Sequence, residues 1–252
     1  MTGTIVFLHA HPDDEAIFTG GTIAKLSAAG VRVVVLIATA GELGEARGDV
    51  SADSLPDRRA AETAEAAALL GVDRVVFLGY RDSGLPGDPA NDAPGSFFAA
   101  DTELAAVQVA DVLRAEAADA IVVYDAGGIY GHPDHVQVHR VGVRAAALAG
   151  VATVYQATVD REYLHFVETH LVDHAGDAVP GRPTIGVPSV LVTTMVDVRG
   201  QLPAKRGAIA AHSSQVPETS SAMIMPAATF ADVYGFEWYV RSGPHGLIDD
   251  LT

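Results

Sequence analysis

Residues 4–39 read TIVFLHAHPDDEAIFTGGTIAKLSAAGVRVVVLIAT. Two runs in this stretch, Thr4–His9 (TIVFLH) and Arg32–Thr39 (RVVVLIAT), are apolar and rich in β-branched residues, without alternation. A strand covered on both sides needs no polar face, so both runs predict strands inside a sandwiched sheet. Between them Gly20–Ala29 reads as a helix, and Gly30 is its stop. Strand, helix and strand in that order make a βαβ unit with a right-handed crossover.

The alternation continues outward from this unit. Pro56-Asp57 starts a helix running to Gly71, and Arg74–Leu78 (RVVFL) is a third strand. Asp101 caps a helix that reaches about Ala117, and Ala120–Tyr124 (AIVVY) is a fourth strand. Pro133–Ala149 is a further helix, closed by Gly150. The fold class is therefore α/β: a Rossmann-like, mostly parallel sheet with helices on both faces. Past residue 150 the pattern weakens. Val151–Val159, Ser189–Thr193 and Glu237–Val240 read as strands, and Leu202–Ala211 and Ala228–Tyr234 as short helices. A chain of 252 residues without a linker or an internal repeat predicts a single domain over 1–252. Its regular βαβ core is 1–150, and 151–252 is expected to complete the sheet and the substrate pocket. Gly41–Leu55 and Arg81–Gly95 (RDSGLPGDPANDAPG) read as long loops of the kind that carries function.

Composition removes several function classes. There is no Cys, so disulfides, thiolate nucleophiles and zinc–cysteine sites are excluded, and a metal site must use His, Asp or Glu. Lys plus Arg total 16 against 32 Asp plus Glu, a net charge of −16. Such a chain is not expected to bind nucleic acid through a basic face, nor to carry a polybasic membrane anchor. The longest aliphatic stretch, Val33–Ala38, is far below the roughly 18 residues that span a bilayer. No basic segment precedes the short apolar run Ile5–Leu8, so a cytoplasmic protein is expected.

Ligands of an open α/β sheet lie beyond the carboxyl ends of its strands. The first strand is followed by His11-Pro12-Asp13-Asp14-Glu15, the second by Gly41-Glu42-Leu43-Gly44-Glu45 and the third by Arg81-Asp82-Ser83-Gly84. The fourth is followed by residues 127–135, GGIYGHPDH. One imidazole and three carboxylates in five positions are costly to crowd together unless a cation sits among them. His132 and His135, three apart at a helix start, share one helical face. One His and one carboxylate from the first segment with one His from the last give two imidazoles and a carboxylate. That is the ligand count of a catalytic zinc with a position open for water. The remaining acids and the remaining His are then available as general base and acid. Taken separately, each segment also reads as a plain helix start, where acids suit the dipole. Their coincidence at corresponding strand ends is what points to metal. His139, four after His135, is a competing helical ligand, one turn deeper. His165, His170 and His174 read as surface or loop histidines, and His9 as one that packs or bonds to backbone. No G-x-G-x-x-G follows the first strand, which argues against a dinucleotide site.

The pair HAHPDDE (residues 9–15) and GHPDH (131–135) strongly resembles the LmbE-like/PIG-L family of zinc-dependent N-acetylglucosaminyl deacetylases. Arg59-x-x-Glu62 with Ala66 and Leu70-Gly71 is similar to a further segment of that family. So are Arg81-Asp82-Ser83-Gly84, and Lys205 with Ala211-His212-Ser213-Ser214-Gln215. The nearest flavour is the mycothiol-type deacetylase and amidase branch. The resemblance implies Zn2+ held by His11, Asp14 and His135, with Fe2+ as the alternative ion. It implies Asp13 as general base, and His132, charged or hydrogen-bonding, near the scissile amide with Asp134 orienting it. Tyr130 would polarise the carbonyl oxygen from a mobile loop, Arg59 and Asp82 would hold sugar hydroxyls, and Glu15 would support the loop from behind. The leaving amine would take its proton from Asp13 or His132. The implied activity is a hydrolase that removes an N-acetyl group from an amino sugar or its conjugate through a zinc-activated water. Its implied partner is a small N-acyl amino-sugar substrate, and a homo-oligomer is open. Two other readings remain. One is an amidase cleaving a larger acyl group in conjugate detoxification or antibiotic biosynthesis, with loop 81–95 shaping the pocket. The other is a sugar-binding homologue without chemistry, against which the intact Asp13, His132 and three ligands argue.

Overall fold

Two doubly buried strands lie side by side within the sheet. In the computed structural model, which describes residues 1–45, 51, 54–170 and 185–252, β1 (Thr4–His9) pairs in parallel with β2 (Arg32–Thr39). Their register runs from Thr4 opposite Arg32 to His9 opposite Ile37, and nearly every side chain is buried. At about 1.5–3 kcal/mol for each fully buried aliphatic side chain, these two strands anchor the core. On the other side of β1 lies β4 (Ala120–Tyr124), and beyond it β5 (Thr153–Thr158), both parallel. Next to β2 is β3 (Arg74–Tyr80), an edge strand that leaves Phe77 exposed. Among the described residues the order is β3-β2-β1-β4-β5-β7-β6, with β6 at Thr194–Asp197 and β7 at Phe236–Ser242. Within this sheet β7 runs antiparallel to both β5 and β6.

The chain therefore winds one way from β1 to β3 and the other way from β1 through β4 to β5. With right-handed crossovers, the reversal puts the helices on opposite faces. α2 (Gly20–Ala28) and α3 (Leu55–Leu70) cover one face with α8 (Leu202–Ala211). α4 (Thr102–Ala115) packs along α6 (Pro133–Ala149) on the other. Between β1 and β4, where the winding reverses, two neighbouring strand ends are free of crossovers; this switch point is where ligands bind in such sheets. Short α1 (Asp14–Phe18) follows β1 there, and short α5 (Gly128–Gly131) follows β4. The remaining helices are α7 (Arg161–His170), α9 (Ser221–Ile224) and α10 (Ala227–Tyr234).

The C-terminal part is tied to the first face by a buried ion pair. Lys205 Nζ lies 2.6 Å from Glu237 Oε1, and the Glu237 carboxylate accepts the backbone N–H groups of Gly21 and Thr22 at 2.8 Å each. One acid thus neutralises a buried lysine and satisfies the first turn of α2, whose donors have no partner within the helix.

One sequence expectation needs correcting. Ser189–Thr193 is not a strand: Ser189–Leu191 form a 3-10 turn after Pro188, and the strand is Thr194–Asp197. Val190 and Leu191 are exposed, whereas Thr194 and Val196 point into the core, so burial places the strand further on. His165 is a surface histidine, as expected, exposed on helix α7; His170 ends that helix, and His174 lies outside the described residues. Part of the predicted loop 41–55 also lies outside them. The predicted loop 81–95 contains a 3-10 turn at Pro89–Asp92 and is closed by a bridge between Arg81 and Ser96.

Candidate active site

The polar segments singled out in the sequence meet at the switch point. Beyond β1, His11 projects between three carboxylates. Its Nδ1 is 3.4 Å from Asp14 Oδ2, and its Nε2 is 3.2 Å from Asp134 Oδ2 and 3.7 Å from Asp82 Oδ1. His135, fully buried on the first turn of α6, brings its Nε2 to 3.3 Å from the same Asp14 Oδ2. One carboxylate oxygen thus lies between two imidazole nitrogens. His132 closes the group, its ring centroid 4.6 Å from that of His11 and 5.2 Å from that of His135. One ring nitrogen from each of these three histidines lies within 4.8 Å of the others, close enough to share an ion. The donor set of imidazole nitrogens and carboxylate oxygens, without sulfur, fits a divalent ion such as zinc or iron(II).

The electrostatics describe donors crowded together. Burial alone would lower the pKa of His11, but Asp134, Asp14 and Asp82 hold it well above the usual imidazole value. Burial would raise Asp14, yet His135 and His11 keep it well below the usual carboxylate range. Asp82 is likewise held low against burial by His11. His132 goes the other way: burial, then the neighbouring His11 and His135, bring it down to about 4. Its Nδ1 accepts the backbone N–H of Asp134 at 3.2 Å, so the neutral ring carries its proton on Nε2.

Asp13 sits beside this group with a left-handed backbone, φ 99° and ψ −29°. For a residue with a side chain that conformation is strained, and it persists only where surroundings impose it. Two braces do so here. The buried Arg59 guanidinium donates to the Pro12 carbonyl, to the Gly41 carbonyl at 2.7 Å and to Asp13 Oδ2 at 3.3 Å. Gly41 makes this possible, since a Cβ there would lie 2.1 Å from Arg59 Nη1. From the other side Glu15 Oε2 accepts the Asp13 N–H at 3.0 Å, while Glu15 Oε1 is 2.6 Å from Nε2 of His212, at the end of α8. Burial, then the Asp14 charge, raises the Asp13 carboxyl to about 7 against the pull of Arg59.

Tyr130 lies on α5 with its hydroxyl 3.4 Å from His135 Nε2. Burial and the carboxylates of Asp14 and Asp13 raise its pKa, so it keeps its proton. The turn that presents it passes through Ile129 at φ 64°, and Asp125 pins it by accepting the N–H groups of Gly127 and Ile129. A cleft of about 460 Å3 opens over His11, Asp13, Arg59, Asp82, Tyr130 and His132.

The structure thus brings together all nine residues singled out: His11, Asp13, Asp14, Arg59, Asp82, Tyr130, His132, Asp134 and His135. Their contacts add detail. The Asp134 carboxylate meets His11 and Ser83, while only its backbone N–H reaches His132. Arg59 is anchored on the Asp13 turn. Asp82 accepts the N–H groups of Leu43 and Gly84 as well as facing the cleft. His139 bonds the Tyr124 carbonyl and His9 bonds the Tyr124 and Thr19 hydroxyls, so neither faces the cleft. Ser83 and His212 escaped the sequence reading as site residues; both stood inside noted motifs, but neither spacing points to its partner.

Residues 6–146 match the PIG-L family model, described as GlcNAc-PI de-N-acetylase. A relative from Thermomonospora curvata is 39% identical over 96% of this chain and 91% of its own. It is named 1D-myo-inositol 2-acetamido-2-deoxy-alpha-D-glucopyranoside deacetylase. Among solved structures, the N,N'-diacetylchitobiose deacetylase from Pyrococcus horikoshii superposes with a TM-score of 0.65 at 25% identity, covering 96% of this chain and 84% of the other. The 4-carboxy-2-hydroxymuconate hydratase GalB from Pseudomonas putida reaches 0.66 at 18% identity, over 97% of this chain and 98% of its own. That hydratase shares the fold alone, so chemistry has to be argued from the site.

Proposed function

The chain belongs to the PIG-L family of GlcNAc-PI de-N-acetylases, and from that premise we propose a zinc-dependent, cytoplasmic N-deacetylase acting on an N-acetylglucosamine joined to a polyol such as inositol. The observation that carries this reading is the single Asp14 oxygen lying between His11 and His135 beside an acid at about 7, all at the switch point. We take the chain as one domain, its residues 151–252 completing sheet and pocket.

His11, Asp14 and His135 are the proposed ligands. Zinc held there supplies a water acidic enough to lose its proton near neutral pH, and a Lewis acid for the amide oxygen. Asp13, next in sequence to a ligand and facing the cleft, would hold a proton on its carboxylate as the general base. It then holds the proton that the leaving amine needs. Tyr130, protonated, donates to the amide oxygen as negative charge develops on it. His132 donates from Nε2 into the same cleft. Asp82 and Arg59 offer an acceptor and a donor for sugar hydroxyls, and the cleft's charged lining suits a hydroxyl-rich ligand.

The test is acetate release from N-acetylglucosaminyl inositol by the zinc-loaded protein and by Asp13→Ala. Wild-type turnover with a silent variant is expected; no bound metal, or an active Asp13→Ala, overturns the reading. A larger acyl group is the second reading, favoured by an apolar cavity of about 210 Å3 that Ile17, Phe18, Val159 and Trp238 help to line. The Phe18 ring also contacts His135, with centroids 5.9 Å apart. Faster release of butyrate or octanoate than of acetate would favour this second reading.

A further inference from the structure

Asp134 is fully buried, yet it is neither a proposed ligand nor exposed to the cleft. Three of its roughly four acceptor sites are taken up by this chain. Oδ2 faces His11 Nε2 at 3.2 Å and accepts the Ser83 N–H at 3.0 Å, and Oδ1 accepts the Ser83 hydroxyl at 2.5 Å. Ser83 is itself fully buried and comes from the loop after β3, 51 residues earlier in sequence. Its Oγ accepts the Phe98 N–H at 2.9 Å, so the hydroxyl proton has only Asp134 to go to. Asn91 Nδ2 donates to the Ser83 carbonyl from the far side of the loop.

We infer that Ser83 is a positioning residue for the metal centre: through Asp134 it fixes the ring and the tautomer of His11. The chemistry follows from donor counting. Two of the Asp134 bonds are Ser83 donors, so the carboxylate cannot swing towards His132 without leaving buried N–H and O–H groups unpaired, which is costly inside a protein. Held in place, it accepts the proton of His11 Nε2. That leaves the lone pair of Nδ1 directed at the side where Asp14 Oδ2 lies. A carboxylate behind a ligating imidazole is what orients such a ligand and raises its basicity. The loop 81–97 that borders the cleft is thereby joined to a ligand, so substrate loop and metal site are one hydrogen-bonded unit.

This inference rests on the metal-centre reading, and one set of titrations separates the two. Zinc affinity of the full-length, metal-free protein is measured by competition with a chelator. Ser83→Ala and Ser83→Gly, which both remove the hydroxyl, are expected to bind zinc about tenfold more weakly, and Asp134→Asn to fall within about 10- to 100-fold. Ser83→Thr, which keeps the hydroxyl, recovers affinity. The double variant Ser83→Ala with Asp134→Asn is expected to bind no more weakly than Asp134→Asn alone, because both remove one linkage. Should Ser83→Ala be too unstable to titrate, Ser83→Gly gives the same comparison. Wild-type affinity in both Ser83 variants, with only their metal-free stability lowered, makes the residue structural and overturns the inference. So does a double variant whose losses add in full. A wild-type protein that binds no zinc overturns the metal-centre reading beneath it.

Discussion

The tripeptide His-Pro-Asp occurs twice in this chain, at 11–13 and at 132–134, and the structure uses the two copies in opposite senses. In the first, the histidine faces the proposed metal and the aspartate faces the cleft. In the second, the histidine faces the cleft and the aspartate is sealed inside. The difference is one of backbone phase. Pro133 is the first residue of the 17-residue helix α6, so Asp134 has helical dihedrals and points down into the protein. Pro12 instead precedes a left-handed Asp13, and helix α1 starts only at Asp14, which turns Asp13 outward. Identical local chemistry acquires its role from where the helix begins.

The largest expected effect follows from that assignment. Asp13→Ala should lower kcat by about 10²- to 10⁴-fold, the usual contribution of a general base, while leaving zinc content unchanged. Asp134→Asn should show the reverse emphasis, with weaker metal binding as its first defect. Parallel measurement of kcat and bound zinc decides it. Equal loss of metal in both variants would erase the distinction between the two copies.

A second test concerns what braces the first copy. Glu15 and His212 are both fully buried and 2.6 Å apart; burial alone would lower the His212 pKa, but Glu15 raises it above the usual imidazole value. His212→Ala strands the Glu15 carboxylate that accepts the Asp13 N–H. Breaking a buried pair from one side costs about 3–5 kcal/mol, a fall in Tm of roughly 6–20 °C for a domain of this size. A drop of only a degree or two would mean that Arg59 alone holds the strained turn.

Much of this was legible from local pattern, and the rest was not for a physical reason. β1, β2 and β4 start and stop where the uninterrupted apolar runs do, because a doubly buried strand has no polar face to blur its ends. β6 has four residues, and Met195 within it is exposed, so Val190 and Leu191 upstream made the better-looking strand. Seven of the nine site residues stand out because imidazoles and acids cluster after successive strands, whereas Arg59 and Tyr130 are implied only by the family resemblance. Ser83 and His212 carry no such mark. Each matters through a partner 51 or 197 residues away, and only the closed fold brings them into contact.

The smallest expected effect is the cleanest measure of backbone phase. At position 13 both Asp13→Gly and Asp13→Ala lack the carboxylate and its bond to Arg59, so their difference reports the backbone alone. The left-handed conformation is open to glycine and strained for alanine by about 1 kcal/mol, so the glycine variant should be the more stable. At position 134 the same pair of substitutions removes the same bonds to His11 and Ser83, but the backbone is helical. Glycine there is worse than alanine by about 0.5–1 kcal/mol, so the order reverses. Urea unfolding of the four metal-free variants reads both differences. Alanine more stable than glycine at both positions would show that Asp13 is not held in a left-handed turn. The opposite uses of the two His-Pro-Asp copies would then need a cause other than the start of the helix.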